Sequence, residues 1–229
     1  MSQIADWLTT IRQVLPRIGL MVRHMRPSLE LPDVASIDRA LLGSLGIEAV
    51  IWDVDGTLMP RHGREVAQPF REAFRSVLAA PGVRHVILSN ADEVRYRELG
   101  SVFPEIPVLR AYTTPGGVVG RTLLKGEDSW DPADAWESRL SGARALRKPS
   151  VALIELALGQ LDHPPRDSVL MVGDQYLTDI AGANLAGIRS LRVSTYAPAS
   201  FPVPVRVLQY LERVCYRIFH ATPPRAPHG

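Results

Sequence analysis

The chain has 229 residues, 46% hydrophobic and 22% charged, the proportions of an ordinary globular protein with room for one sizeable domain and appendages. Its single cysteine, Cys215, excludes an internal disulfide and a cysteine zinc cluster, and suits a reducing compartment. Net charge is only +2, but arginines gather at the ends: Arg12, Arg17, Arg23 and Arg26 against Asp6, then Arg206, Arg213, Arg217 and Arg225 against Glu212. Basic ends on an acidic body suggest an anionic surface as partner. No apolar run approaches the ~18 residues of a spanning helix, and the N-terminus lacks the pattern of a secretory signal. The expectation is a cytoplasmic protein, in peripheral contact with the inner face of a membrane.

In chain order, Ile4, Trp7, Leu8, Ile11 and Leu15 recur at helical spacing until Pro16, predicting an amphipathic N-terminal helix. An irregular stretch leads to a helix near Asp38–Leu45, then to a buried strand in "AVIWDVDGTLMP". A helix around Gln68–Leu78, the strand "HVILSN", a helix over Ala91–Leu99 and a short strand at Pro107–Arg110 follow. Pro149–Leu161 reads as a helix opened by proline, "SVLMVGD" as another buried strand, Leu177–Leu185 as a helix and "RSLRVS" as a strand. Alternating strands and helices predict an α/β fold with a doubly wound, Rossmann-like parallel sheet. Residues 111–147, rich in Gly, Pro, Asp and Ser, read as an irregular insertion, either a mobile loop or a lid. The expected organisation is a lead-in over 1–46, a core over 47–200 and a C-terminal amphipathic helix and tail over 201–229. On that last helix Val207, Leu208, Leu211, Val214, Cys215, Ile218 and Phe219 form an apolar stripe.

Four signals fall where strands should end: Asp53 and Asp55, Ser89 and Asn90, Lys148, and Asp174 with Asp179. In a parallel sheet ligands collect at the carboxyl ends of the strands, so these residues can converge on one pocket. An Asp-Gly turn or a Ser-Asn turn alone is commonplace; the set in this order is specific. P-loop, GxGxxG, HExxH and GxSxG signatures are missing.

The order "DVDGT", "SN", "KP", "GDQYLTD" resembles the haloacid dehalogenase (HAD) superfamily of phosphohydrolases, over about Ile47–Ser194. The resemblance implies a Mg²⁺ cofactor held by Asp53 and Asp174 and the main-chain carbonyl of Asp55, since this ion favours hard oxygen ligands. It makes Asp53 the nucleophile that forms an aspartyl-phosphate. Asp55 becomes the general acid and base, with a pKa raised by acidic neighbours. Gly56 is expected to turn the chain tightly and Thr57 to orient Asp55. Ser89, Asn90 and Lys148 bind the phosphoryl group, and Asp179 holds the loop or a metal-bound water. The short link after Leu58 leaves no large cap. "RPSLELPDVASIDRALLGSLGIEAVIWDVDGTL" with "GDQYLTDIAGANLAGI" is similar to the phosphatidylglycerophosphate phosphatase branch, which implies a lipid phosphate substrate. That branch commonly reads Asp-Asn-Thr where this chain has Asp55, Gly56 and Thr57. The alternatives are a soluble phosphatase for a sugar, glycolate or nucleotide phosphate, and a non-catalytic binding protein on the same fold. No nucleic-acid partner is expected.

Overall fold

A computed structural model describes residues 18–130 and 142–220; the predicted helix over Ile4–Leu15 and the side chain of Trp136 lie outside them. Among the described residues the elements run α1 (Ile18–His24), β1 (Leu29–Glu30), α2 (Arg39–Ser44), β2 (Ala49–Trp52), α3 (Arg71–Leu78), β3 (Arg84–Leu88) and α4 (Glu93–Val102). There follow β4 (Val108–Thr114), β5 (Gly117–Leu124), β6 (Glu127–Asp128), β7 (Arg144–Leu146), α5 (Val151–Gln160) and β8 (Val169–Gly173). A π-helical turn (Tyr176–Ile180), α6 (Ala181–Leu185), β9 (Arg189–Arg192) and α7 (Val203–Phe219) complete the order.

One mixed sheet runs β1-β9-β8-β2-β3-β4-β5-β6, parallel from β1 through β4 and antiparallel beyond, with β7 also paired to β4. Ile51 pairs Val86 on one side and Met171 on the other, so β2 lies mid-sheet and its neighbours come from opposite directions along the chain. That is a switch point, with a crevice at the carboxyl ends of β2 and β8.

Side chains alternate across the sheet as the two-residue period requires. Val50, Trp52, Ile87, Leu170 and Val172 meet Phe74 and Val77 of α3 and Tyr96 and Leu99 of α4 on one face. Ala49, Ile51, Val86, Leu88, Val169 and Met171 meet Leu153, Ile154, Ala157 and Leu158 of α5 on the other. Burial on both faces explains why β2, β3 and β8 read as continuous apolar runs. Short helices start where acids cap them: Asp38 accepts from the Leu41 N–H at 2.7 Å, and Asp92 from the Arg95 N–H at 2.8 Å.

The segment over 111–147 departs from the expectation of an irregular insertion. Pro115 and Gly116 close a hairpin in which Thr114 pairs Gly117 and Val108 pairs Leu123. β6 and β7 then add two more antiparallel pairings, so the described part of this segment extends the sheet. Trp130 is buried within that extension, its Nε1–H donating to the Gly120 carbonyl at 2.9 Å.

Candidate active site

The site is built on three strand ends. Asp53 leaves β2, and its main-chain N–H still belongs to the sheet, donating to the Val172 carbonyl at 2.9 Å. The chain then turns at once: Val54 O accepts from Thr57 and Leu58, and Gly56 donates to Met59 O at 2.8 Å. Gly56 has φ +91°, and a Cβ there would stand 2.8 Å from the Phe201 ring and 3.1 Å from Asp174 Oδ2. Only glycine fits so tight an approach between the first and last motifs.

Thr57 is buried and donates its hydroxyl to Asp53 Oδ2 at 2.8 Å. The expectation that Thr57 orients Asp55 is corrected accordingly: it orients Asp53. On the other side Lys148 Nζ meets Asp53 Oδ1 at 2.5 Å and Asp179 Oδ1 at 2.7 Å. Lys148 is 2% exposed. Burial alone would strip its charge, but attraction from Asp179 and then Asp53 outweighs that and holds its pKa above the ordinary value.

Asp174 follows β8, and one ligand oxygen from each of Asp53, Asp174 and Asp179 lies within 4.8 Å of the others, all buried. Gly173 permits this, since a Cβ there would fall 2.5 Å from Asp179. Asp179 Oδ2 accepts from the Gln175 N–H at 3.0 Å. Neither buried oxygen of Asp174 has a hydrogen bond of proper geometry among the described residues, although the Thr195 hydroxyl favours its charged form. Burial, then Asp53 and Asp179, push the Asp174 pKa well above the usual carboxylate value. Burial likewise pushes Asp179 up to about 6 against the pull of Lys148. Three carboxylates face one ammonium. Buried acceptors without donors are costly, and hard, crowded oxygens of this kind fit Mg²⁺.

Asp55 faces away from this crowd. Its carboxylate is gripped by Arg95 of α4, with Nη2 2.7 Å from Oδ1 and Nε 3.4 Å from Oδ2, and it accepts from the His62 N–H at 3.2 Å. The expectation of acidic neighbours around Asp55 is thus corrected to a cationic one. Arg95 is itself buried; burial opposes its charge, but Asp55 and then Glu98 hold its pKa above the ordinary value.

Ser89 is half-buried at the end of β3, while Asn90 is occupied otherwise than expected. Asn90 Oδ1 accepts from the Lys148 N–H at 2.7 Å, and Nδ2 donates to the Lys148 carbonyl at 3.2 Å. Arg147 adds a 2.7 Å bond to the Asn90 carbonyl. Asn90 therefore ties the second motif to the third through its side-chain oxygen and one amide N–H.

Sequence reasoning missed four contributors. Arg95 looks like any helix-surface arginine. Phe201 and Tyr196 wall the site from beyond β9, with the Tyr196 N–H donating to Gly56 O at 2.6 Å. Glu212 of α7 is 3% exposed and lies at the start of the π-helical turn, where the Leu177 and Tyr176 N–H groups favour its charged form. The predicted apolar stripe of its helix divides between an exposed and a half-buried part. Gln209, Glu212 and Tyr216 are buried, Leu208, Val214 and Cys215 half-buried, and Val203, Val207, Tyr210, Leu211, Ile218 and Phe219 exposed. A π-stack of Tyr216 on Tyr176 at 4.2 Å fastens the helix to the same turn. No described helix is long and apolar enough to cross a membrane.

The described residues thus set two motif aspartates, a buried lysine and a second acidic pair at the switch point of a mostly parallel sheet. A HAD-hydrolase-like family model matches residues 145–197, about a quarter of the chain. The chain is 27% identical over 189 residues to phosphatidylglycerophosphate phosphatase 1, chloroplastic, of Chlamydomonas reinhardtii, covering 81% of this chain and 59% of that protein. It thus spans well under two thirds of that relative's length. Among solved structures, an uncharacterized Listeria monocytogenes serotype 4b protein matches with 20% identity and TM-score 0.41, over 73% of this chain and 99% of that one. A Mycobacterium tuberculosis glycerol phosphate phosphatase solved with magnesium matches with 21% identity and TM-score 0.21, over 76% and 52%.

Proposed function

We propose that this chain is a Mg²⁺-dependent phosphomonoester hydrolase acting through an aspartyl-phosphate. The observation that carries the reading is the buried surplus of carboxylate at the switch point, with the Asp174 oxygens lacking donors. Asp53, Asp174 and the Asp55 main-chain carbonyl would hold the ion, with Asp179 beside them. Bound there, Mg²⁺ supplies charge neutralisation for an anionic ester.

The chain's own residues divide the remaining work. Thr57 and Lys148 fix Asp53, which attacks phosphorus: an Asp53 O–P bond forms as the bond to the leaving oxygen breaks. Asp55 gives its proton to that oxygen, then takes one from the water that attacks phosphorus and releases Asp53. Lys148 and the Ser89 hydroxyl offset charge on the phosphoryl oxygens. Asn90 positions Lys148.

The substrate we infer is a lipid phosphate monoester at an anionic surface, with phosphatidylglycerophosphate as its first candidate. The name of the Chlamydomonas relative supports the headgroup. The outer side of α7 supports the surface, because exposed Val207, Leu211, Ile218 and Phe219 run beside Arg206, Arg213 and Arg217, an arrangement suited to an interface. Each such arginine contributes about 1 kcal/mol near anionic lipid. Phosphate release from phosphatidylglycerophosphate in mixed micelles, set against glycerol phosphate and nucleotide monophosphates, tests both halves. Preference for the lipid together with binding to anionic vesicles is expected. Faster turnover of a soluble ester and indifference to vesicles would move the assignment to a soluble phosphatase. No release from any ester would end the enzymatic reading.

A further inference from the structure

Among the described residues, Arg95 is a strongly buried cation in direct contact with Asp55 that the mechanism above does not use. Its guanidinium reaches four places at once. Nη2 and Nε engage both oxygens of Asp55, and Nη1 donates to the Gly63 carbonyl at 2.8 Å and to Glu98 at 3.1 Å. Met59 Sδ lies 3.4 Å from Nη2. The arginine stands in the first turn of α4, where the Asp92 cap fixes its own main chain. A rigid planar fork, rooted in a capped helix and held from two further sides, sets the plane of the carboxyl group it grips. An arginine needed only to start a helix has no reason to be buried against a motif aspartate.

We propose that Arg95 is a positioning residue for Asp55, aiming the carboxyl group that gives a proton to the leaving oxygen and takes one from water. The inference rests on the acid–base reading of Asp55. In that step the proton passes from Asp55 Oδ2, the oxygen with the longer Arg95 contact of 3.4 Å, to the oxygen that departs from phosphorus as the Asp53 O–P bond forms. Arg95 touches neither substrate nor phosphorus. Its contribution should therefore track how badly the leaving oxygen needs the proton. An alkoxide needs it greatly and a nitrophenolate hardly at all.

The test compares kcat/KM, which reports the first phosphoryl transfer, for glycerol phosphate and p-nitrophenyl phosphate in the full-length protein with Mg²⁺. Arg95→Met should lower kcat/KM for the alkyl ester by about 10- to 100-fold. The nitrophenyl ester should lose less than about threefold, since its leaving group departs without a general acid. Asp55→Asn should show the same selectivity, and the double variant should be no worse than Asp55→Asn alone, as two residues acting as a unit are not additive. A folded Arg95→Met with equal losses on both esters, no loss, or additive losses in the double variant overturns the proposal. Where Arg95→Met does not fold, Arg95→Lys decides, because it keeps the charge without the fork: a selective loss supports positioning, and equal or absent loss overturns it. If Asp55→Asn itself hits both esters alike, the acid assignment of Asp55 falls and the role of Arg95 falls with it.

Discussion

Lys148 and Arg121 are both buried cations, 2% exposed each, and their surroundings are opposites. Arg121 reaches Asp128 at 2.6 Å and Glu93 at 2.8 Å, and its guanidinium lies over the rings of Tyr96 and Trp130. Glu93 is shared further with Arg110 and Arg97. Cations match or exceed anions throughout that cluster, and it pins the antiparallel extension to α4. Around Lys148 the imbalance runs the other way, with Asp53, Asp174 and Asp179 against one ammonium, and Asp174 left without a proper donor. A balanced buried network is a fastening; the surplus around Lys148 is the feature on which the proposed metal site rests.

The strongest way to break that contrast is to remove the nucleophile. Asp53→Asn should lower turnover by at least about 10³-fold while leaving the fold intact, because an amide cannot form the aspartyl-phosphate. Substantial turnover in the purified variant would defeat the assignment. Metal comes next. Chelation should abolish activity, and Mg²⁺ at about 100 times its dissociation constant should raise stability by about 2.7 kcal/mol. Thermal unfolding with and without Mg²⁺ checks this, and Asp174→Asn should lose the increment. An equal increment in Asp174→Asn would mean that the ion binds elsewhere.

How much of this was legible beforehand follows from the same contrast. The central strands announce themselves because burial on both faces makes them continuous apolar runs, and the motif residues sit at their ends. The extension was not legible. Its strands alternate and carry Gly117 and Gly120, so they look like loop. The Pro115–Gly116 pair between Tyr112-Thr113-Thr114 and Val118-Val119 was the available hairpin signal. Thr57 was read one neighbour off, because a side chain four residues after Asp53 and two after Asp55 can reach either from sequence alone. Arg95 and Glu212 gave no local sign, since what buries them is tertiary: a loop returning over α4, and a helix laid on the last motif.

Glu212 offers a third test, on pH. Burial pushes it up to about 7 from an ordinary 4.5, against the pull of the Leu177 N–H and with some help from Asp179. Its folded pKa lies above its unfolded one. Below about pH 4.5 both states are protonated, and the glutamate costs nothing. Between about 4.5 and 7 the unfolded chain ionises first, so stability falls as pH rises, then levels off. Glu212→Gln removes that ionisation and keeps an acceptor for the turn. In chelated protein the variant should come within about 1 kcal/mol of wild type at pH 5 and exceed it at pH 8 by up to about 3 kcal/mol. Urea unfolding at the two pH values measures it, and a variant less stable than wild type at pH 8 would show that the charged form is what holds the turn.

The smallest effect is expected where the charges balance. Arg121→Met should remove the cationic partner of Asp128, whose side chain is 13% exposed and still accepts from the Trp130 N–H at 3.1 Å, while Glu93, at 33%, keeps Arg110 and Arg97. Asp128 can partly turn to solvent, so the cost should fall below that of a fully buried broken pair, at about 2 kcal/mol. Turnover per folded molecule should change less than about threefold, because among the described residues the extension meets the site through Asn90, Arg147 and the start of α4, away from Asp53 and Asp174. Urea unfolding and kcat on a generic ester measure the two quantities together. Lost stability with retained kcat keeps the two clusters distinct. A kcat that collapses in folded Arg121→Met would make the extension part of the catalytic apparatus, and the division between fastening and site would have to be redrawn around α4.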